Sequence, residues 1–240
     1  MATMTDGRAA GRRRLSVIVP ALNEAPRIQA QASRLVRLPG VDEVIVADGG
    51  STDGTADLAR TVAGVRVVDA PRGRGPQMNA GAREAAGDVL WFVHADVVVP
   101  DDAPAMVDDA LRQVGVVAGA FRTRTEADGA AGWPSRLLWL ADLRSRYSHM
   151  PYGDQALFVR REVFESLGGF APLALFEDVE FNRRLRRTGR VCVLRPSVRV
   201  SGRRFMARPI ASVTMMNFLP VLYRCGVPPD TLARIYGHVR

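Results

Sequence analysis

Short runs of Val, Ile, Leu and Phe recur along the first half of the chain, at 15–20, 43–47, 65–69 and 89–94. Each is nearly continuous in apolar residues. Successive side chains of a strand point to opposite sides, so such runs suit strands covered on both faces. The segments 25–37, 53–62, 76–86 and 102–113 carry helical patterns instead. This alternation predicts an α/β fold, a mostly parallel sheet with helices on both faces. Ligands of such sheets bind beyond the carboxyl ends of the strands.

The rhythm changes after residue 114. A strand is expected at 116–121, a polar loop at 123–132 and a helix at 133–147. A strand at 155–160, helices at 161–167 and 178–188, and strands near 191–194 and 198–201 follow. The stretch 210–223 is apolar but holds Asn217 and Pro220. With no internal repeat and no long linker, the expected layout has three parts. Residues 1–14 form a flexible basic tail, 15–205 one domain, and 206–240 a helical C-terminal elaboration packed on it.

Composition narrows the partners. All 33 basic residues are Arg, and against 25 acids they leave a net charge of +8. Such a chain attracts anions, whether nucleoside diphosphates, nucleic acid or an acidic membrane face. No zinc-finger spacing or aromatic RNA-recognition signature accompanies the arginines, so nucleic acid is not an expected partner. Cys192 and Cys225 lie far apart without a CxxC pair. That argues against a disulfide scaffold or a cysteine zinc site and fits a reducing cytoplasm. Arg12, Arg13 and Arg14 before Leu15–Val19 imitate a signal peptide, but the apolar run ends at Pro20. It is far too short to span a membrane and reads as a buried strand.

Four segments can carry chemistry. At the first strand end, Pro20-Ala21-Leu22-Asn23-Glu24 puts polar groups on the sheet edge, where Asn23 and Glu24 could equally cap the next helix. At the second, Asp48-Gly49-Gly50-Ser51-Thr52-Asp53-Gly54-Thr55 offers a carboxylate to a nucleobase or ribose, with glycines that allow close backbone approach. The same residues could form a plain Asp-Gly turn with a Ser or Thr cap. The fourth strand runs into His94-Ala95-Asp96, where a carboxylate can bind Mg2+ or Mn2+, hard ions that bridge phosphate oxygens. Finally, Glu177-Asp178 opens a helix, as dipole partners or as a general base facing a cleft.

In this order the segments resemble glycosyltransferase family two, over about 15–204. The run Arg72-Gly73-Arg74-Gly75-Pro76-Gln77-Met78-Asn79-Ala80-Gly81-Ala82 further resembles its selenodomain-associated bacterial subgroup. The resemblance implies a GT-A, Rossmann-like fold and an inverting transfer of sugar from a UDP-sugar to an acceptor hydroxyl, with Mg2+ or Mn2+. It puts Glu24 and Asp48 at the uracil or ribose end, with Pro20, Asn23, Arg72, Arg74 and Ala95 also on the donor side. Asn79 and Gly81 match an Asn-x-Gly element beside the donor. Asp96 matches the last acid of the family's D-x-D motif, the metal ligand. Asp178 is the implied catalytic base, supported by Glu177, and Gly153-Asp154-Gln155 matches an acceptor-side loop.

Two departures stand out. His94 replaces the first acid of D-x-D, to contact ribose, to orient Asp96 or to serve as a core histidine. Where relatives carry a metal-binding His after the last strand, this chain has Arg203-Arg204, expected to neutralise the diphosphate. A nucleotidyltransferase would be expected to carry a Gly-rich phosphate loop where Pro20–Glu24 stands. A non-catalytic nucleotide-sugar binder would lack the acid pair. The segments 133–147 and 210–223 mix apolar residues with Arg, as interfacial helices do, so peripheral contact at the inner membrane face competes with packing or a homodimer through 206–240.

Overall fold

The computed structural model describes residues 12–127, 153–203, 218–223 and 225–237, with Leu138, Asp142, Met206 and Ser212 as isolated positions. Strands β1 (Leu15–Ala21), β2 (Glu43–Asp48), β3 (Val65–Asp69) and β4 (Val89–Phe92) alternate with helices α1 (Ala25–Val36), α2 (Thr55–Arg60) and α3 (Arg74–Glu84). Next come β5 (Val97–Val98), α4 (Ala103–Arg112), β6 (Val116–Glu126), a 3-10 turn at Gly153–Gln155, and β7 (Phe158–Arg160). The chain continues through α5 (Arg161–Ser166), α6 (Glu177–Leu185), β8 (Arg190–Ser201) and α7 (Pro229–Tyr236). One sheet holds all eight strands in the order β3-β2-β1-β4-β7-β6-β8-β5. β1 pairs parallel with β2 and β4, β2 with β3, and β6 with β8, while β7 and β5 run antiparallel to their neighbours.

The two-residue period of the strands sorts the core onto the two sheet faces. Val17, Val19, Val44, Val46 and Trp91 join Ile28 and Leu35 of α1 and Val107 and Leu111 of α4. Their alternates Ile18, Ile45, Leu90 and Phe92 join Met78 of α3, Phe164 of α5 and Phe181 and Leu185 of α6. α3 lies so close to β1 that a Cβ on Gly81 would stand 2.5 Å from Ile18 Cγ2. That contact accounts for Gly81 by packing.

Several boundaries differ from the sequence pattern, each for a tertiary reason. Residues 123–126, expected in a loop, extend β6, because Thr123 to Glu126 pair with Val198 to Ser201. The two strands expected at 191–194 and 198–201 are one strand, β8, with an irregularity opposite Phe121 and Arg122. β4 stops at Phe92 and releases His94–Asp96 from the sheet. Arg12 and Arg13, from the expected tail, pair with Asp42 at 2.8 Å and Asp108 at 3.3 Å. The helix expected at 133–147 and most of 206–217 lie outside the described residues. No helix among those described is long and apolar enough to cross a membrane.

Candidate active site

Two strand-end loops are laced together at the carboxyl edge. Asn23, in a left-handed backbone conformation (φ 54°), takes the Thr52 N–H on Oδ1 at 2.9 Å, and its own N–H donates to Ser51 Oγ at 2.9 Å. Thr55 Oγ1 accepts the Glu24 N–H at 2.8 Å, and Asp53 accepts the Ala25 N–H at 3.1 Å. The Ser-Thr-Asp-Gly-Thr run thus holds the start of α1, whereas Asn23 does not cap its own helix. Asp48 ends β2 buried, and its Oδ2 accepts the N–H groups of Gly50 at 3.0 Å and Ser51 at 2.9 Å. The other oxygen, Oδ1, is buried without a hydrogen-bond partner among the described residues. A buried acceptor in that state is available to a donor from water or a ligand.

Helix α3 forms the next wall. Gln77 donates through Nε2 to Ala21 O at 2.5 Å and Ala47 O at 3.1 Å, tying the ends of β1 and β2 together. Gly49 packs against this amide, and a Cβ there would meet it at 2.8 Å, so a larger residue would have to displace Gln77. Arg74 lines a narrow polar cleft with Pro20, Glu24, Gln77, His94 and Asp96. Arg72 is exposed in the turn before α3. Asn79 spends its amide on Phe170, donating to the carbonyl at 2.8 Å and accepting the N–H at 2.9 Å. Asn79 therefore braces the loop before α6.

On the far side of the cleft, the His94–Asp96 loop is pinned from both ends. Gln31 of α1, buried, donates to His94 O at 3.2 Å and Val97 O at 2.6 Å. Ser201 at the end of β8 donates its N–H to Asp96 O at 3.1 Å. This pairing also brings Arg203 close, with Nη2 at 3.8 Å from Glu24 Oε2. Arg204 lies outside the described residues.

The acids of α6 close the site. Gly153 donates its N–H to Asp178 Oδ2 at 2.6 Å, and Asp178 Oδ1 takes the Val179 N–H at 2.7 Å. A Cβ on Gly153 would lie 3.4 Å from Asp178 Oδ2 and 3.6 Å from His94 Nε2. The bare Cα of Gly153 is therefore where His94 and Asp178 meet. Asp154 is half-buried and Gln155 fully buried on the same turn. Glu177 is buried, and burial, then the Asp178 charge, raises its carboxyl to about 7 against the pull of Arg74. Phe176, left-handed at φ 68°, sets the approach to α6 and stacks on Tyr223 at 4.8 Å. Gln31 and Tyr223 carry no motif, and Gln77, although inside the Arg72–Ala82 run, was given no role by the sequence pattern.

The family model for glycosyl transferase family 2 matches residues 16–168, well over half of the chain. The chain belongs to that family. Among curated relatives, glucosyl-3-phosphoglycerate synthase of Mycolicibacterium smegmatis is 33% identical over 133 residues, 49% of this chain and 44% of that protein. Succinoglycan biosynthesis protein ExoA of Rhizobium meliloti is 31% identical over 194 residues, 72% of this chain and 58% of that one. The chain spans about half the length of the curated relatives it matches. A mannosyltransferase of Pyrobaculum calidifontis, solved with GDP-Man and Mn2+, superposes with a TM-score of 0.68 at 23% identity, covering 96% of this chain and 70% of that one. Glucosyl-3-phosphoglycerate synthase of Mycobacterium tuberculosis, solved with Mn2+, UDP and glucosyl-3-phosphoglycerate, gives 0.59 at 22% identity over 90% of this chain and 81% of that one. These likenesses show the GT-A fold.

Within this family-2 chain, the donor set limits what kind of cation the cleft could hold. No group of three or more His, Cys, Asp or Glu among the described residues could hold a metal by itself. Asp96 offers a carboxylate at the cleft floor beside His94. Mg2+ and similar hard ions are bound by one or two carboxylates plus substrate phosphates and water. The residues fit a cation that arrives with a diphosphate, and do not fit an all-protein cage.

Proposed function

We propose that the chain transfers a sugar from a nucleoside diphosphate donor, UDP in our reading, to an acceptor hydroxyl, with inversion at the anomeric carbon. The observation that carries this reading is the meeting of His94 and Asp178 at Gly153, a base beside the strand end that also bears Asp96. Asp48 Oδ1 accepts a ring N–H of the base, and Asn23 and Glu24 face the ribose end. Asp96 would hold Mg2+ or Mn2+, which would supply positive charge to a leaving diphosphate. Arg74 and Arg203 add positive charge on the same side. Asp178 takes the proton of the acceptor hydroxyl while its oxygen bonds to the anomeric carbon and the bond to the diphosphate breaks. Two backbone N–H groups orient the Asp178 carboxylate for this, and the missing side chain at Gly153 leaves room for the acceptor.

Support for a diphosphate donor comes from two structural relatives. One was solved with GDP-Man and the other with UDP, so the nucleoside diphosphate, rather than one base, is what they share. Proton NMR of acceptor-free hydrolysis tests the reading. With Mn2+ and a panel of α-linked UDP-sugars, the first sugar released is expected to be the β-anomer. Release of the α-anomer contradicts inversion.

A further inference from the structure

A second cleft, of about 280 Å³, lies behind the His94–Asp96 loop, between α1 and the end of β8. Its back wall is Ala95 and Asp96, which also face the donor cleft, so the two spaces are separated by one loop. Three guanidinium groups line it: Arg27 and Arg34 of α1, and Arg199 of β8. Arg27 and Arg34 are seven residues apart, two helical turns, which sets them on one face of α1. Two carboxylates, Asp96 and Glu126, share the lining, and Glu126 stands 3.7 Å from Arg199.

Arg34 is the informative member. One of its terminal nitrogens, Nη2, pairs with Asp101, an exposed residue of the loop before α4. The other, Nη1, is buried and has no hydrogen-bond partner among the described residues. A guanidinium has five N–H donors in a fixed fork and no way to shed its charge. Arg27 donates to Ser201 Oγ at 3.4 Å, so Arg34 Nη1 is the donor here with no acceptor among the described residues, and a buried N–H in that state is unfavourable until an oxygen reaches it. We propose that this cleft is a second anion site, taking a phosphate group whose oxygens accept from Arg34 Nη1 and from the Arg27 and Arg199 guanidiniums. Its volume has room for a phosphate with a small substituent.

Inorganic phosphate is the probe, titrated calorimetrically into the intact protein at fixed ionic strength held with chloride. Saturable binding is expected in the parent. Arg34→Gln and Arg199→Gln are each expected to weaken it about tenfold or more, the usual consequence of losing a charge-assisted contact. Arg112→Gln, on α4 where Arg112 pairs with Asp108, is expected to leave it unchanged. Arg199 is exposed, so its variant keeps the test valid if Arg34→Gln misfolds. Parent-like affinity in Arg199→Gln and Arg34→Gln, an equal loss in Arg112→Gln, or no binding beyond chloride overturns the proposal. Vesicles bearing a phosphate-monoester headgroup distinguish the source: capture lost in Arg199→Gln assigns a lipid phosphate, and no capture alongside phosphate binding assigns a soluble one. Neither arm depends on sugar transfer, so the site and the transferase reading fail separately.

Discussion

Glu177 and Asp178 are neighbours in sequence with different surroundings, and our proposal for their tasks rests on that difference. Asp178 is held by two backbone N–H groups at the cleft, whereas Glu177 turns inward toward Arg74. Burial and the Asp178 charge raise Glu177 from 4.5 to about 7. Below pH 4.5 both folded and unfolded chains keep this proton, so its contribution to stability is complete. As pH rises toward 7 the unfolded chain gives the proton up first, and stability falls through that window. Glu177→Gln is therefore expected to match the parent near pH 4.5 and to exceed it by about 1–3 kcal/mol near pH 8. Urea denaturation at the two pH values checks it, and a variant less stable than the parent at the higher pH contradicts it. The acid pair was legible as a pair in the sequence, and so was Asp48 at its strand end. The resemblance also made Asp178 the base and Glu177 its support, whereas the N–H of Gly153 that holds Asp178 was not legible, because Gly153 is distant in sequence. Asn79 shows the opposite limit: its motif pointed to the donor, and its amide is engaged by Phe170.

At the level of elements, helices reach into the site mainly through glutamines. Gln77 fastens the ends of β1 and β2, and Gln31 fastens the loop that carries His94 and Asp96. Gln31→Met keeps the volume and removes both donors. It is expected to cost about 1–3 kcal/mol, since two buried carbonyls lose a partner. It is also expected to raise the Mn2+ concentration needed for half-maximal donor binding without touching Asp96. Parent-like Mn2+ dependence would show that the loop holds its shape unaided. Gly81→Ala tests the α3–β1 contact, with an expected loss of about 1–3 kcal/mol in chemical denaturation from the clash with Ile18. The strands and most helices were legible because near-continuous apolar runs and helical spacing record burial directly. The glutamines were not, because a polar residue on a helix ordinarily faces solvent. The extension of β6 through Glu126 was hidden for the same reason: its polar residues pair with β8, a partner more than seventy residues away.

Across the whole molecule, the site draws on both ends of the described chain. Leu219 and Leu232 pack with Phe176, and Tyr223 stacks on it, so residues beyond 205 support the turn that launches α6. Phe218, Val221 and Ile235 remain exposed on the same C-terminal region. The fold class, the order of the motifs and the location of the cleft followed from the sequence, because a mostly parallel sheet collects its loops at one edge. The convergence of β8 on Asp96 did not, since it rests on a two-residue strand, β5, that no periodicity signals. The central claim is that Asp96 and Asp178 serve one bound donor in different ways, Asp96 through a cation and Asp178 through a proton. Isothermal titration of nucleotide sugars with and without Mn2+ measures this in the parent, Asp96→Asn and Asp178→Asn. Mn2+-dependent donor binding is expected in the parent and in Asp178→Asn, whose turnover falls about 10²–10⁴-fold, and is expected to be lost in Asp96→Asn. Undiminished Mn2+-dependent binding in Asp96→Asn would contradict the account.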